Sequence, residues 1–354
     1  MNTAPIQTDA LVIGAGPVGL YTVFQLGLQG VAAQVVDVLP QAGGQCIELY
    51  PDKPIFDIPG IPRCSGRELA QRLLAQVAPF KPHFHFNRQV SSLALQADGR
   101  WLVSTASGIA PAAHFMARTV FIAAGVGAFV PKELKLEGLA TWLGSQLFYR
   151  QAPAPATQGQ RVLVVGGEDE AVASAVALAQ GGAQSVTLVH RRDVLQAPPA
   201  TLAQFNTLRA AGKIKFLTGQ LTGLSASAER LQQVQLTTPE DHTVAVPLDT
   251  LVVCQGVSPK LGPMADWGLD MARKQLRVST ETFATSAPGI YAVGDVITYP
   301  GKKKLIVCGF HEATLAVFAA AQTLCPDASG VLQYTTSSAL LQQRLGVAGT
   351  PARC

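Results

Sequence analysis

Charge is scarce in this chain. Only 14% of its 354 residues are Asp, Glu, Lys or Arg, against about 25% in an ordinary soluble protein. Aromatic residues are thin too, at 6%, while 48% of the chain is apolar. That is enough apolar material for a large core, so intrinsic disorder does not describe the chain. No uninterrupted apolar run reaches the roughly 18 residues a membrane span requires, and the Gly-rich stretch 119–131 is too short. The mean hydropathy of +0.25 therefore points to cores rather than spans. The first nine residues carry no basic cluster ahead of an apolar segment, which reads as no secretory signal. The expectation is a soluble, cytoplasmic protein with no membrane partner.

Other absences narrow the chemistry. The 27 Lys and Arg against 23 Asp and Glu leave a formal charge of +4, and the cations are scattered. Nucleic acid is thereby disfavoured, whereas an acidic protein partner is compatible. Cys46, Cys64, Cys254, Cys308, Cys325 and Cys354 include no C-x-x-C pair. With the histidines His83, His85, His114, His190, His242 and His311 they form no set with metal-ligand spacing, so no metal is expected. In a reducing cytosol the cysteines read as buried free thiols.

What is present begins at Asp9-Ala10-Leu11-Val12-Ile13, an apolar run of strand length that enters Gly14-Ala15-Gly16-Pro17-Val18-Gly19. A helical stretch follows over 18–29, then a second strand, Ala33-Gln34-Val35-Val36, closed by Asp37, 23 residues after Gly14. Gly14 permits the tight turn, Gly16 lets the backbone approach a pyrophosphate, and Gly19 lets helix and strand pack closely. The helix start presents free N–H groups to phosphates, and Asp37 can accept from a ribose diol. Strand, helix and acid in register make this a dinucleotide-binding unit.

The grammar recurs. Arg161-Val162-Leu163-Val164-Val165 runs into Gly166-Gly167-Glu168-Asp169-Glu170-Ala171, a helix is expected over 169–180, and the next strand ends on His190-Arg191-Arg192. Two guanidinium groups after that strand suit a 2′-phosphate, so NADP is expected rather than NAD. Glu168 stands where a third glycine is usual and puts a carboxylate beside the expected phosphates. Two such units imply two cofactors, and a pair able to exchange hydride is FAD with NADPH. Near the other end, Gly289-Ile290-Tyr291-Ala292-Val293-Gly294-Asp295 is an apolar strand closing on a carboxylate suited to flavin ribityl hydroxyls, with Gly294 admitting the pyrophosphate. The fold class is therefore α/β, with two Rossmann-like domains and the NADP domain inserted into the FAD domain. Residues 1–129 and 286–354 form the FAD domain, and 130–285 the NADP domain.

Several flavoenzyme chemistries share this plan. A disulfide reductase needs a thiol pair beside the flavin, but Gly43-Gly44-Gln45-Cys46 offers one thiol, and no C-x-x-C occurs. The relay for a two-electron disulfide reduction is missing. So is the F-x-G-x-x-x-H-x-x-x-W signature of Baeyer–Villiger monooxygenases. What remains is a flavin that takes hydride from NADPH and passes electrons on without protein thiols. A disulfide reductase using Cys46 or Cys308, and a non-catalytic FAD-binding redox sensor, stay open as alternatives.

Gly43-Gly44-Gln45 with Tyr50-Pro51, Trp267-Gly268-Leu269, the stretch 288–295, Thr298-Tyr299-Pro300-Gly301-Lys302, Lys304-Leu305-Ile306 and Tyr334-Thr335-Thr336-Ser337 carry a resemblance. Over essentially its whole length the chain resembles the ferredoxin–NADP reductases of the thioredoxin-reductase-like type. The segment 298–306 is the most specific, because thioredoxin reductases do not share it. The resemblance implies FAD contacts at Asp37, Gly44, Gln45, Tyr50, Val90, Phe129, Asp295 and Thr336. It also implies a ferredoxin or flavodoxin as carrier, and a homodimer in which Tyr334 covers the second flavin face. Gln196 departs from the family, where an arginine often follows the His-Arg-Arg triplet. Read as residues, Tyr50 suits stacking on the isoalloxazine or a place in the core, and Tyr334 suits a flavin edge or ordinary packing. Lys302-Lys303-Lys304, soon after Asp295, suit either the docking of an acidic carrier or plain solvation.

Overall fold

The computed structural model describes residues 4–106, 111–227, 229–324 and 333–347. Cys325 and Cys354 lie outside them. The elements that build the candidate site are, in chain order, β1 (Ile6–Ile13), α1 (Pro17–Gln29), β2 (Ala33–Val36), β3 (Arg161–Val165), α2 (Asp169–Gln180), β4 (Ser185–His190), α3 (Ile306–Leu324) and α4 (Ala339–Arg344). The chain divides into two compact units, residues 1–128 with 260–354, and residues 129–259.

In the first unit, β1 lies between β2 and the strand His114–Ile122, parallel to both. The strand His83–His85 extends the parallel sheet beyond β2, and Ile290–Ala292 adds to the far side of His114–Ile122. An antiparallel meander of Val90–Leu95 and Trp101–Thr105 completes this seven-stranded sheet. Buried on both faces, β1 reads as a continuous apolar run from Ala10 to Ile13 rather than as an alternation. Pro17 at the first helical position presets φ for α1, and Gly30, at φ +76°, ends it in the left-handed conformation. Helix α3 turns Gly309, Ala313, Ala316, Val317 and Ala320 inward at helical spacing. A Cβ on Gly309 would come within 2.3 Å of Val18 Cγ2, so α1 and α3 approach as closely as glycine allows. By length and composition alone α3 could cross a membrane, although His311 and Glu312 interrupt its apolar run; its inward face packs in the core of the first unit. Phe115, Phe121, Leu11, Leu20 and Leu26 are fully buried, each stabilising the fold by about 1.5–3 kcal/mol.

The second unit repeats the plan. A parallel five-stranded sheet runs Leu147–Tyr149, Thr250–Val253, β3, β4, Ile214–Thr218, with α2 linking β3 to β4. A separate antiparallel sheet holds Gln220–Ala226, Leu231–Thr237 and Thr243–Pro247. Asp249 accepts both the backbone N–H and the guanidinium of Arg161 and pairs with Arg230. Those partners, the Arg161 hydrogen bond first, hold its carboxyl down at about 2.

The chain enters and leaves the second unit through two strands that pair with each other, Ala128–Pro131 and Val257–Lys260. The return thus falls at residue 260, not near 286 as expected from the sequence. Met264, Leu269, Leu276 and Phe283 explain the difference: all four are buried in the hydrophobic core of the first unit.

Candidate functional site

The first glycine turn is fixed by packing at two positions and left bare at a third. Gly14 has φ +109°, and a Cβ there would lie 2.4 Å from the carbonyl oxygen of Ala123. A Cβ on Gly19 would lie 1.9 Å from Gly14 O, so the start of α1 packs directly on the end of β1. Gly16 differs: its φ is ordinary, at −70°, and an added Cβ would meet nothing nearer than Gly44 Cα at 3.7 Å. The protein itself does not demand glycine at 16. A bare backbone at the N-terminus of α1 is a cradle that a side chain would fill, which fits a pyrophosphate. Gly43 N–H donates to Ala15 O at 2.9 Å, drawing the loop that carries Gly44 and Gln45 over this turn.

Asp37 ends β2 with its carboxylate engaged. Oδ2 accepts the Ala15 N–H at 2.5 Å and Oδ1 the Leu39 N–H at 2.8 Å. Burial pushes its carboxyl up, against the opposing pull of those N–H donors. Asp37 therefore ties β2 to the glycine turn, a task the sequence did not reveal beside its candidate ribose contact. Arg88 N–H donates to Asp37 O, placing the start of the Val90 strand beside it. Val90 itself is only 5% exposed, so it can offer a ligand backbone rather than side chain.

Residues from both ends of this unit converge. Gln45 Nε2 donates to Asp295 Oδ2 at 3.1 Å, and a Cβ on Gly125 would lie 3.3 Å from the same nitrogen. Half-buried Tyr50 accepts from Cys46 Sγ at 3.6 Å. Burial above all, then the neighbouring thiol, pushes the Tyr50 phenol up, so it keeps its proton. Cys46 and Cys64 are buried, and burial raises both thiols. Neither has the character of an attacking thiolate.

A carboxylate that sequence reasoning missed stands behind Gly294. Glu312, fully buried in α3, accepts the Gly294 N–H at 2.7 Å, the Tyr299 hydroxyl at 2.8 Å and the Lys302 ammonium at 2.5 Å. The signal was there: Glu312 is the lone acid of a 19-residue apolar helix, and a buried acid needs a cation. The Lys302 side chain is only 6% exposed. This corrects the reading of Lys302-Lys303-Lys304 as one cationic patch, since Lys303 and Lys304 alone face solvent.

In the second unit, glycine is again dictated by contacts. A Cβ on Gly166 would lie 2.2 Å from Cys254 O, and one on Gly167 would lie 2.3 Å from His190 Nδ1. His190 also pairs through Nδ1 with Val194 O at 3.0 Å. It shapes the turn after β4 from which Arg191 and Arg192 project, exposed. Those two cations and the start of α2 fit a nucleotide bearing a 2′-phosphate. Glu168 and Gln196, the two departures, face each other across an isolated bridge, with Gln196 N–H donating to Gly167 O. The Glu168 side chain is exposed. Glu170, another acid of this turn, pairs with Arg150 at 2.5 Å, a cation the sequence reading had not connected to it.

Phe129 stands on the strand Ala128–Pro131 and is the first residue of the second unit. Tyr334 is 62% exposed, and Thr336 is exposed too. Their segment is anchored by α4, where Leu341 is buried and Arg344 donates to Leu28 O. That anchor lies at the C-terminal end of α1, about 20 Å from the glycine turn at its N-terminal end. Among the described residues, no hydrogen bond joins Tyr334 or Thr336 to Gln45, Tyr50 or Asp295.

The pyridine nucleotide-disulphide oxidoreductase family matches residues 8–322. A ferredoxin–NADP reductase of Paracidovorax citrulli is 56% identical, covering 98% of each chain. Another, of Verminephrobacter eiseniae, is 57% identical over 97% of this chain and 98% of its own. Among solved structures, T. acidophilum thioredoxin reductase superposes with a TM-score of 0.55 at 19% identity, covering 90% of this chain and 98% of its own. A bacillithiol disulfide reductase of Staphylococcus aureus does so with a TM-score of 0.57 at 16% identity, covering 92% and 100%.

Proposed function

This chain belongs to the ferredoxin–NADP reductases of the pyridine nucleotide-disulphide oxidoreductase family, and we infer that it moves electrons between NADPH and a ferredoxin through FAD. The observation that carries the choice among flavoenzyme chemistries is the state of the thiol at the flavin turn. Cys46 is buried against Tyr50, with its thiol pushed up, so electrons reaching the flavin meet no relay there.

When bound, FAD supplies the redox chemistry, accepting hydride from NADPH and releasing electrons singly. The protein supplies geometry and charge. Gly14, Gly16, Pro17 and Gly19 present the backbone of the α1 start to the pyrophosphate, and Asp37 receives the ribose. Gly44, Gln45, Gly294 and Asp295 form the polar edge that holds the ribityl chain and flavin, with Val90 lining the nucleotide end. Tyr50, kept protonated, would stack on the flavin, and Phe129 is a further FAD contact implied by the resemblance. In the second unit, Gly166 and Gly167 receive the NADP pyrophosphate, while Arg191 and Arg192, presented by His190, take the 2′-phosphate.

The carrier is an acidic one-electron protein, a ferredoxin or a flavodoxin, docking at exposed Lys303 and Lys304. The enzyme works in the cytoplasm as a homodimer, and the exposed segment with Tyr334 and Thr336 completes the flavin site of the partner subunit. One experiment tests the thiol argument. NADPH is added anaerobically to the holoprotein, and thiols are counted by labelling before and after the flavin bleaches. An unchanged count supports direct transfer to the carrier. A pair of new thiols would establish a disulfide relay instead.

A further inference from the structure

Glu312 takes no part in any role given so far, yet its placement is costly. A carboxylate with 0% exposure faces an ammonium with 6%, and both lose their hydration. Apolar side chains of the same volume would join α3 to the loop after Asp295 at less cost, so packing alone does not account for the set. Its distinguishing feature is where the carboxylate points. Oε1 is occupied by Tyr299 and Lys302, which leaves Oε2 to the N–H of Gly294. The Lys302 ammonium is also 5.7 Å from the centre of the Tyr299 ring, so the two donors support each other. Gly294 holds φ +82° and is followed directly by Asp295, whose own carboxylate accepts from Gln45. The aim of Asp295 is therefore set from in front by Gln45 and from behind by Glu312.

We propose that Glu312, clamped by Lys302 and Tyr299, is a positioning residue for FAD: through the Gly294 N–H it fixes the turn that aims Asp295 at the cofactor. It touches no reacting atom. The proposal rests on the flavoenzyme reading above and adds to it the residues that hold the flavin turn in place.

The test uses the full-length protein stripped of FAD and titrated with FAD, reading the dissociation constant and the visible circular dichroism of the bound flavin. Wild type is compared with Glu312→Gln and with Glu312→Gln/Lys302→Met. In the single variant the amide NH2 faces a buried ammonium, which displaces the side chain from Gly294. FAD affinity falls by about tenfold or more, and the flavin dichroism changes. In the double variant the ammonium is gone, so the amide oxygen accepts from Gly294 and the NH2 donates to the Tyr299 oxygen. Affinity returns to within about threefold of wild type. A residue acting only in packing would lower the thermal midpoint and leave affinity and dichroism of the folded protein unchanged, and that outcome overturns the proposal. Should the single variant fail to fold, Tyr299→Phe, which removes one donor, carries the test. A changed flavin dichroism supports the proposal, and an unchanged one overturns it. Wild-type protein that takes up no FAD would refute the flavoenzyme reading itself. Wild type that binds, with variants that bind equally well, refutes this proposal alone.

Discussion

Gln45 Nε2 donates to Asp295 Oδ2 at 3.1 Å across 250 positions of the chain. Gln45 follows the glycine pair that crosses the first dinucleotide turn, and Asp295 follows the last strand of the same sheet. The bond joins the two separated segments of the first unit at the place proposed for the flavin. A Cβ on Gly125 would lie 3.3 Å from the same Gln45 nitrogen, and the N–H of Gly294, next to Asp295, is held by Glu312.

Asp295→Ala is expected to lose FAD. A hydrogen bond to a charged group contributes about 1.5–3 kcal/mol, which is roughly 10- to 150-fold in affinity. The check is the flavin absorbance of the purified variant after dilution and gel filtration. A full complement that survives dilution contradicts the assignment.

Arg191→Ala is expected to raise the KM for NADPH by about tenfold, the loss of one exposed charge-assisted contact of ~1.4 kcal/mol. The KM for NADH should stay nearly constant, because NADH lacks the 2′-phosphate. Equal losses with both nucleotides would assign Arg191 to the turn itself.

Neighbouring lysines should behave differently. Lys303→Glu should slow ferredoxin reduction, and rising salt should do the same, since the Debye length shrinks from about 10 Å at 0.1 M to about 3 Å at 1 M. Reduction of an uncharged acceptor such as a benzoquinone should respond to neither. Lys302→Glu should instead yield little folded holoprotein, because it sets two carboxylates together in the core. Rates for both acceptors across a salt series, beside expression and flavin content, separate these outcomes.

Acid should weaken the second unit through Asp249. Its arginine partners depress its carboxyl in the folded state from an ordinary value near 3.8 to about 2. That stabilisation is complete above the unfolded value and is lost as pH falls from about 4 through about 2. With Arg161 and Arg230 partly exposed, the contribution is about 1 kcal/mol after solvent screening. Urea midpoints at pH 5 and pH 2.5 test it: wild type should exceed Asp249→Asn at the higher pH, and the gap should narrow markedly at the lower.

The glycine turns, both βαβ units and the converging residues Gln45 and Asp295 were legible because each rests on a local rule of strand, turn and helix start. Glu312 was not, although its partners lie only 10 to 18 positions away. Helical spacing shows that α3 has a buried face, but not that its acid meets a lysine from the preceding loop. Lys302, Lys303 and Lys304 look alike in sequence, and only the position of Glu312 draws one of them inside. The return of the chain at residue 260 was hidden for a related reason. Trp267-Gly268-Leu269 stands out as a motif, but nothing local says which core receives Leu269 or Leu276. His190 was read as a nucleotide contact, and its packing on Gly167 became visible only once the turn after β4 was folded.

Where the electrons from NADPH go separates direct transfer to a carrier from a thiol relay. The most direct measurement mixes the holoprotein anaerobically with NADPH and oxidised ferredoxin in a stopped-flow instrument, following flavin and ferredoxin absorbance together. Rapid flavin bleaching by NADPH, much slower with NADH, followed by ferredoxin reduction over many turnovers with no change in protein thiols, is the predicted result. A flavin that bleaches but passes nothing to ferredoxin or flavodoxin, while reducing a small disulfide, would contradict it.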